Sequence, residues 1–376
     1  MKIIKHTLAM VSTGLVIALL FSSCHTSVPS PSSNQVEPLG TDYIFREDTG
    51  FYAYAPSIVQ ADSTTRYVYY TTNSEKENNL SDVIAVRKGT LNDGKYVYGD
   101  RKIVLTPTEN QWDSQRVTCP SVINGDFSYQ GENYTVLMAY TANSIEASKN
   151  FQIGLAVAKN PEGPFIKVGN TPIIVYDPDI SGSQYGAGNP SLVSFDKKGK
   201  VRLFYSHGDN NLSSTRVVDA DFTNLDTPKL SGYLTVSYLG LPDDGLGFPL
   251  VANGDFALSA DGASVYMVKD GFPYATNEPK VASKLTLAKM ETKGLYDPNG
   301  TWDTIASEIN QIDTFVDEDH LGWPRMYSAC ILRDSYGYLA DSSTMLLCFT
   351  SSREASGLED KSYLFSPGLH MYEVSQ

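Results

Sequence analysis

Basic clusters are missing from this chain. Its 29 Lys and Arg stand against 43 Asp and Glu, a formal charge of −14, and no stretch gathers lysine or arginine. Such a surface repels a phosphate backbone, which argues against nucleic acid as a partner. Cysteine is scarce too, with only Cys24, Cys119, Cys330 and Cys348 in 376 residues. None has the Cys/His spacing of a zinc site. Cys330 and Cys348 are the only pair close in sequence, so the open alternatives are one bridge or three small buried side chains. A phosphate-cradling glycine loop, a dinucleotide fingerprint and a Ser-His-Asp order are lacking as well. So is a convincing amphipathic helix, apart from a possible helical turn near Trp302–Ile309.

The N-terminal end does not belong to the fold. Lys2 and Lys5 precede an apolar run from Leu8 to Phe21, and "FSSC" then ends at Cys24. A charged start, a short apolar centre and small residues before a cut describe an export signal over residues 1–24. The run is short for a membrane span. A cysteine after two serines resembles the lipobox of bacterial lipoproteins, although Phe21 stands where that pattern prefers leucine. The resemblance implies lipidation at Cys24 and anchoring to a bacterial membrane, at the cell surface or in the periplasm; ordinary signal cleavage is the alternative. Residues 25–40, rich in Ser and Pro, read as a tether that cannot bury enough apolar surface to order itself. Residues 41–376 are then the folded part. Loss of Lys2 and Lys5 takes the charge to −16.

What is abundant is strand signal: 24 tyrosines with many Val, Ile and Thr. A short phrase recurs in "YAPSIVQ" (Tyr54–Gln60), "TCPSVIN" (Thr118–Asn124) and "GNPSLVS" (Gly188–Ser194). Each is followed by a turn, a second strand such as "RYVYYTTNSE" (Arg66–Glu75), and a third such as "FQIGLAVAKN" (Phe151–Asn160). Two further units keep that order without the proline, beginning at "GDFALSADG" and "YSACILRDS". First-strand starts fall near residues 55, 119, 189, 255 and 329. Five small sheets of this size cannot each hold a core of their own, but arranged radially they bury their faces on one another. The expectation is an all-β, five-bladed β-propeller that is a monomer. The fifth unit lacks a fourth strand, so residues near Asp42–Phe45 are expected to supply it and close the ring. Proline at a strand start costs no ladder bond, and the residue before it should face the axis.

Pro-Ser at the first strand, "YYTT" at the second, "IGLAVAKNPEGPF" at the third, "GAGNPSLV" and "LFYSHGD" together resemble glycoside hydrolase family 43. That resemblance implies hydrolysis of glycans by acidic residues in a central funnel, with an oligo- or polysaccharide as ligand. In the family the first-blade "DPS" aspartate is the general base, and a second "DPS" aspartate tunes it. Here Ala55 and Cys119 stand in those places and Asn189 in the third phrase, so no catalytic residue carries over.

Other residues could rebuild a site at strand starts and at loops leaving second strands. The candidates for acid–base work are Asp255, Asp209, Asp113, Asp270 and Glu354. Tyr54, Trp112, Arg116, Asn189, His207, Arg325 and Arg353 are candidates for holding a sugar. Each has a plainer alternative: Asp255 and Asp209 as turn residues, Trp112 as inter-blade core, the arginines as partners of buried carboxylates. "DPDISG" (Asp177–Gly182) starts like a calcium loop, but its twelfth position is Gly188 rather than glutamate, and no cofactor is expected. Two functions remain: a glycosidase using displaced carboxylates, or a glycan-binding lipoprotein of the same fold.

Overall fold

Each repeat folds as an antiparallel sheet whose strands run in chain order from the axis outward. The structure is a computed structural model. It describes residues 36–38, 43–48, 50–76, 82–145, 149–176, 184–208, 213–243, 253–271, 282, 284–309, 325–341, 343–352 and 368–375, all within the unit Asn34–Gln376. The leader with Cys24 lies outside the described residues. Blade 1 holds Tyr54–Gln60, Thr65–Asn73 and Asp82–Asn92, edged by Lys95–Tyr98 and Lys102–Leu105. Blade 2 holds Arg116–Tyr129, Glu132–Asn143, Gln152–Ala158 and Ile166–Lys167. Blade 3 holds Gly186–Ser194, Lys200–Gly208 and Ser213–Asp221, with short outer pieces. Blade 4 holds Asp255–Leu258, Ser264–Gly271, Lys284–Glu291 and Asp303–Ile309. Blade 5 holds Arg325–Ile331, Thr344–Ser352 and Gly368–Ser375.

The N-terminal segment closes the ring as expected: Phe45–Arg46 pairs with Leu369 and Gly368 on the outer edge of blade 5. Val36–Pro38 pairs further along the same edge, within the stretch read as a tether. One expectation is corrected. Residues Asp303–Ile309, read as part of a possible helical turn, form the outer strand of blade 4. The helical turn lies earlier, at Thr292–Tyr296. Pairing with Lys284–Glu291 supplies ladder bonds that an isolated turn cannot match, so tertiary context decides.

The second strands read as nearly continuous apolar runs because both of their faces are covered; in Glu132–Asn143 the last eight residues are all buried. The buried side chains sort into five clusters, one at each seam. Tyr69, Val122 and Met138 belong to the seam of blades 1 and 2, Leu137, Leu155 and Leu203 to that of 2 and 3. Phe204, Phe256 and Met267 fill the next, Val268, Ile331 and Leu347 the fourth. Ile58, Tyr70, Cys330 and Cys348 fill the fifth. Cys330 and Cys348 are cross-strand neighbours with free thiols.

Candidate functional site

Five non-glycine residues, one per blade, take the left-handed conformation where the first strand begins: Ala55, Cys119, Asn189, Asn253 and Ser328, with φ between 47° and 52°. Side chains other than glycine seldom adopt it, at a cost of roughly 1–2 kcal/mol each. A β-bulge accompanies it in blades 1, 2, 3 and 5. All five residues line one cavity of about 30 Å³ on the axis, with Pro56, Pro120, Pro190, Gly254, Ala329 and Asp255. The cavity is open to solvent, so this is the space at its floor and not the whole of what a ligand would meet. The phrase thus has a physical content: a kinked residue at the axis, a small or cyclic residue, then a strand.

Two sets of bonds hold this ring. The backbone N–H of each kinked residue donates to a second-strand side chain of the preceding blade. Ala55 donates to Thr350 (3.1 Å), Cys119 to Thr71 (2.9 Å), Asn189 to Thr141 (2.8 Å), Asn253 to Ser206 (2.8 Å) and Ser328 to Asp270 (2.7 Å). Two residues beyond the kink, the side chain accepts an N–H from the following blade. Ser57 accepts from Val122, Ser121 from Leu192, Ser191 from Phe256 and Asp255 from Ile331. The serine of Pro-Ser is therefore a strap between neighbouring blades, a role the proline argument did not reveal.

Two carboxylates stand beside the ring. Asp82, buried, accepts from the phenols of Tyr52 and of Tyr54 (3.0 Å) and faces Arg116 at 3.9 Å. Burial is the dominant influence on Asp82 and raises its pKa; the Tyr52 bond, the Arg116 charge and the Tyr54 bond pull it down. Asp270 accepts from Ser328 N–H and, at 2.8 Å, from the Asn253 amide, whose oxygen in turn accepts from Asn189. The Cys119 thiol is pushed up to about 12, chiefly by burial, and the charges of both carboxylates add to the rise.

A pH dependence follows from Asp82. In an unfolded chain an aspartate titrates near 3.9 (roughly). The folded protein keeps the Asp82 proton to higher pH, so it binds more protons than the unfolded chain in between, and stability falls as pH rises through that window. Asp82→Asn should lack that slope. In urea titrations its midpoint should gain on the parent's from about pH 4 upward and level off above the folded pKa. A constant difference at every pH would mean that Asp82 ionises normally.

The sequence-derived candidates scatter. Asn189 is a ring member and Asp270 a partner of two others, while Tyr54 and Arg116 belong to the Asp82 cluster. His207 is buried on the second strand of blade 3, opposite Ala187. Asp255 lines the floor, but its carboxylate accepts from Ser191 (2.7 Å) and Ile331 (2.9 Å) and pairs with Arg333 at 3.3 Å. Asp113 lies away from the axis, bonded to Lys167 and, at 3.4 Å, to Tyr140, on which Trp112 stacks. Trp112 packs against the cluster of blades 1 and 2. Arg325 opens the first strand of blade 5. Asp209, Glu354, Arg353 and the "DPDISG" loop lie outside the described residues. No group of three His, Cys, Asp or Glu side chains placed to hold a metal occurs among the described residues.

Solved structures match this architecture along nearly the whole chain. An α-L-arabinofuranosidase from Lactobacillus brevis superposes with a TM-score of 0.56 at 12% identity, covering 90% of this chain and 92% of that one. They share a fold. A family 117 glycoside hydrolase of the marine bacterium Zobellia galactanivorans gives 0.52 at 14% identity, over 90% and 88%. An α-L-arabinofuranosidase of Podospora anserina, solved in complex with cellotriose, gives 0.51 at 11%, over 91% and 97%. No family model matches the sequence, and no curated protein is significantly similar to it.

Within this propeller, Asn253 and Ser328 are the ring members that sequence reasoning missed, along with Asp82, Tyr52 and Thr118, whose hydroxyl bonds Tyr54 and Thr71 at 2.9 Å. Asn253-Gly254-Asp255 and Ser328-Ala329-Cys330 keep the spacing of Ala55-Pro56-Ser57, with a small residue where proline stands. That small residue was the available signal. Asp82 gave none, because it sits on a third strand and meets the Tyr52 phenol only in the folded chain, across 30 residues of sequence. Chemically, the ring offers two amides, a hydroxyl and a thiol at the axis, with carboxylates behind them.

Proposed function

We propose that this protein binds a saccharide at the axial ring and does not hydrolyse it there, acting as an exported protein tethered through Cys24. One observation carries the reading: the five side chains set around the axis include no carboxylate, and Asp255, the carboxylate that does line the cavity, is held by Ser191, Ile331 and Arg333. Hydrolysis of a glycosidic bond needs two carboxyls flanking the scissile oxygen, and a thiol pushed up to about 12 stays protonated at neutral pH. Amides and hydroxyls, donors and acceptors at once, suit the hydroxyls of a neutral sugar. Saccharide as the ligand class draws support from the structural neighbours, among them hydrolases of glycans and one solved with cellotriose.

A second reading rests on Asp82 and Asp270. Asp270 bonds Ser328 and Asn253 of the ring and Asp82 bonds Tyr54 beside Ala55, so both are near the axis, and a carboxyl raised by burial is what a general acid requires. Against it, both are already engaged by neighbours.

Titration calorimetry and reducing-sugar release on one panel of plant, host and microbial glycans separate the two. Binding without release is the expected outcome, with Asn189→Ala weakening affinity about ten-fold through a lost hydrogen bond. Sustained release abolished by Asp82→Asn or Asp270→Asn would replace the binding reading with the hydrolytic one.

A further inference from the structure

The first strands begin at the ring, and their opposite ends converge on a single segment of blade 5. Arg333–Asp334 pairs in parallel with Val59 and Gln60 of blade 1. The next residues serve the remaining blades in turn. Ser335 O accepts from Asn124 N–H of blade 2, Tyr336 O from Ser194 of blade 3 (2.8 Å), and Gly337 O from Leu258 of blade 4 (3.0 Å). Leu339 N–H returns a bond to Leu258 O at 2.8 Å. Asp334 shapes the turn by accepting from the N–H groups of Tyr336 (2.8 Å) and Tyr338 (2.9 Å). Gly337, at φ +93°, sits so close that a Cβ there would lie 2.9 Å from Val193 Cα.

Arg333 reaches from this hub toward the ring and is almost wholly buried. Its Nη1 donates to Phe256 O (2.9 Å), Leu192 O (3.1 Å) and Ser191 Oγ (3.2 Å), and lies 3.3 Å from Asp255 Oδ1. Its Nη2 donates to Ser121 Oγ at 3.4 Å. Ser121, Ser191 and Asp255 each stand two residues beyond a ring member, in blades 2, 3 and 4. One side chain from blade 5 therefore grips the same position in three other blades.

We propose that Arg333–Leu339 closes this propeller from its centre, and that Arg333 is the positioning residue that sets the spacing of the axial ring. The outer strand Phe45–Arg46 closes the ring at the rim, while the spacing at the axis does not depend on it. The floor of the site is then a property of blade 5 and independent of the N-terminal end of the chain.

The test uses the full chain carrying Arg333→Met, Arg333→Lys or Phe45→Asp. Hydrogen exchange reads the amides of Asn124, Ser194 and Leu258. A short iodoacetamide pulse with peptide mass spectrometry reads Cys119 at the ring and Cys348 in a seam separately. Arg333→Met should speed exchange at the three amides and labelling of Cys119 by about ten-fold, while Cys348 stays protected. Phe45→Asp should leave both readouts within about two-fold of the parent, although it frees the edge of blade 5. If Arg333→Met does not fold, Arg333→Lys takes its place, because it keeps the charge but cannot reach all five oxygens. Parental exchange and Cys119 labelling in a folded Arg333 variant would overturn the proposal, and so would collective loss of protection in Phe45→Asp. Failure of both arginine variants to fold, beside a folded Phe45→Asp, upholds closure from the centre.

Discussion

Asp255→Ala should destabilise the protein by about 3–5 kcal/mol, the usual cost of leaving one partner of a buried ion pair alone. The carboxylate serves three groups at once: the Ser191 hydroxyl, the Ile331 N–H and the Arg333 guanidinium. Alanine removes all three, and Arg333 has no route to water from its buried position. The more instructive variant is Asp255→Ser, which restores the residue that blades 1 to 3 carry two places beyond the kink. If the cost arises from the stranded arginine, serine should be nearly as harmful as alanine. Adding Arg333→Met should then recover about 1–3 kcal/mol relative to the sum of the single changes. Urea denaturation with unchanged m-values checks each step. Strict additivity would mean that Asp255 and Arg333 act separately.

Gly186→Ala should cost on the order of 3 kcal/mol, combining left-handed strain with an overfilled site. Gly186 has φ +91°, and an added Cβ would lie 2.4 Å from Phe151 O and 2.8 Å from its N. Both contacts are backbone, so nothing flexible can yield. Gly131→Ala is the control: its φ is +78° and nothing lies within 4 Å of the new carbon. It should show the strain alone, roughly 1 kcal/mol. The difference between the two variants, measured in one denaturant series, isolates the close approach. Equal losses would mean that the strand opening shifts to accommodate the methyl. Two residues on, Gly188 leaves room for the Tyr185 phenol, which accepts from the Asn189 amide at 2.8 Å.

Much of the fold could be read from the chain because a propeller repeats its own instructions. "YAPSIV", "TCPSVI" and "GNPSLV" marked three inner strands directly, and the even spread of strands marked the remaining two. The registers of those two were harder. Asp255 opens the fourth inner strand, so it drew the eye, while the kinked Asn253 two residues earlier carries the ring position. Without proline, the kink has no strong sequence mark, since asparagine tolerates it in many turns. The site was less legible still. Asp113 looked like a funnel residue by its place before blade 2, yet Lys167 and Tyr140 hold it in a seam. Asp82 looked like nothing, and burial among tyrosines gives it its chemistry.

The hub at Arg333–Leu339 also bears on what happens when the molecule is pulled. The N-terminal segments Val36–Pro38 and Phe45–Arg46 both pair with Gly368–Ser375, so the described start and end of the chain lie on the same outer edge of blade 5. A load applied through the N-terminal end meets the Val36–Pro38 pairing first and the Phe45–Arg46 pairing after it, two short stretches at the rim. The axis, fastened by bonds to all four other blades, sits outside the line of force. Under the tethering proposed above, drag on the chain would then be dissipated at the rim while the ring keeps its shape.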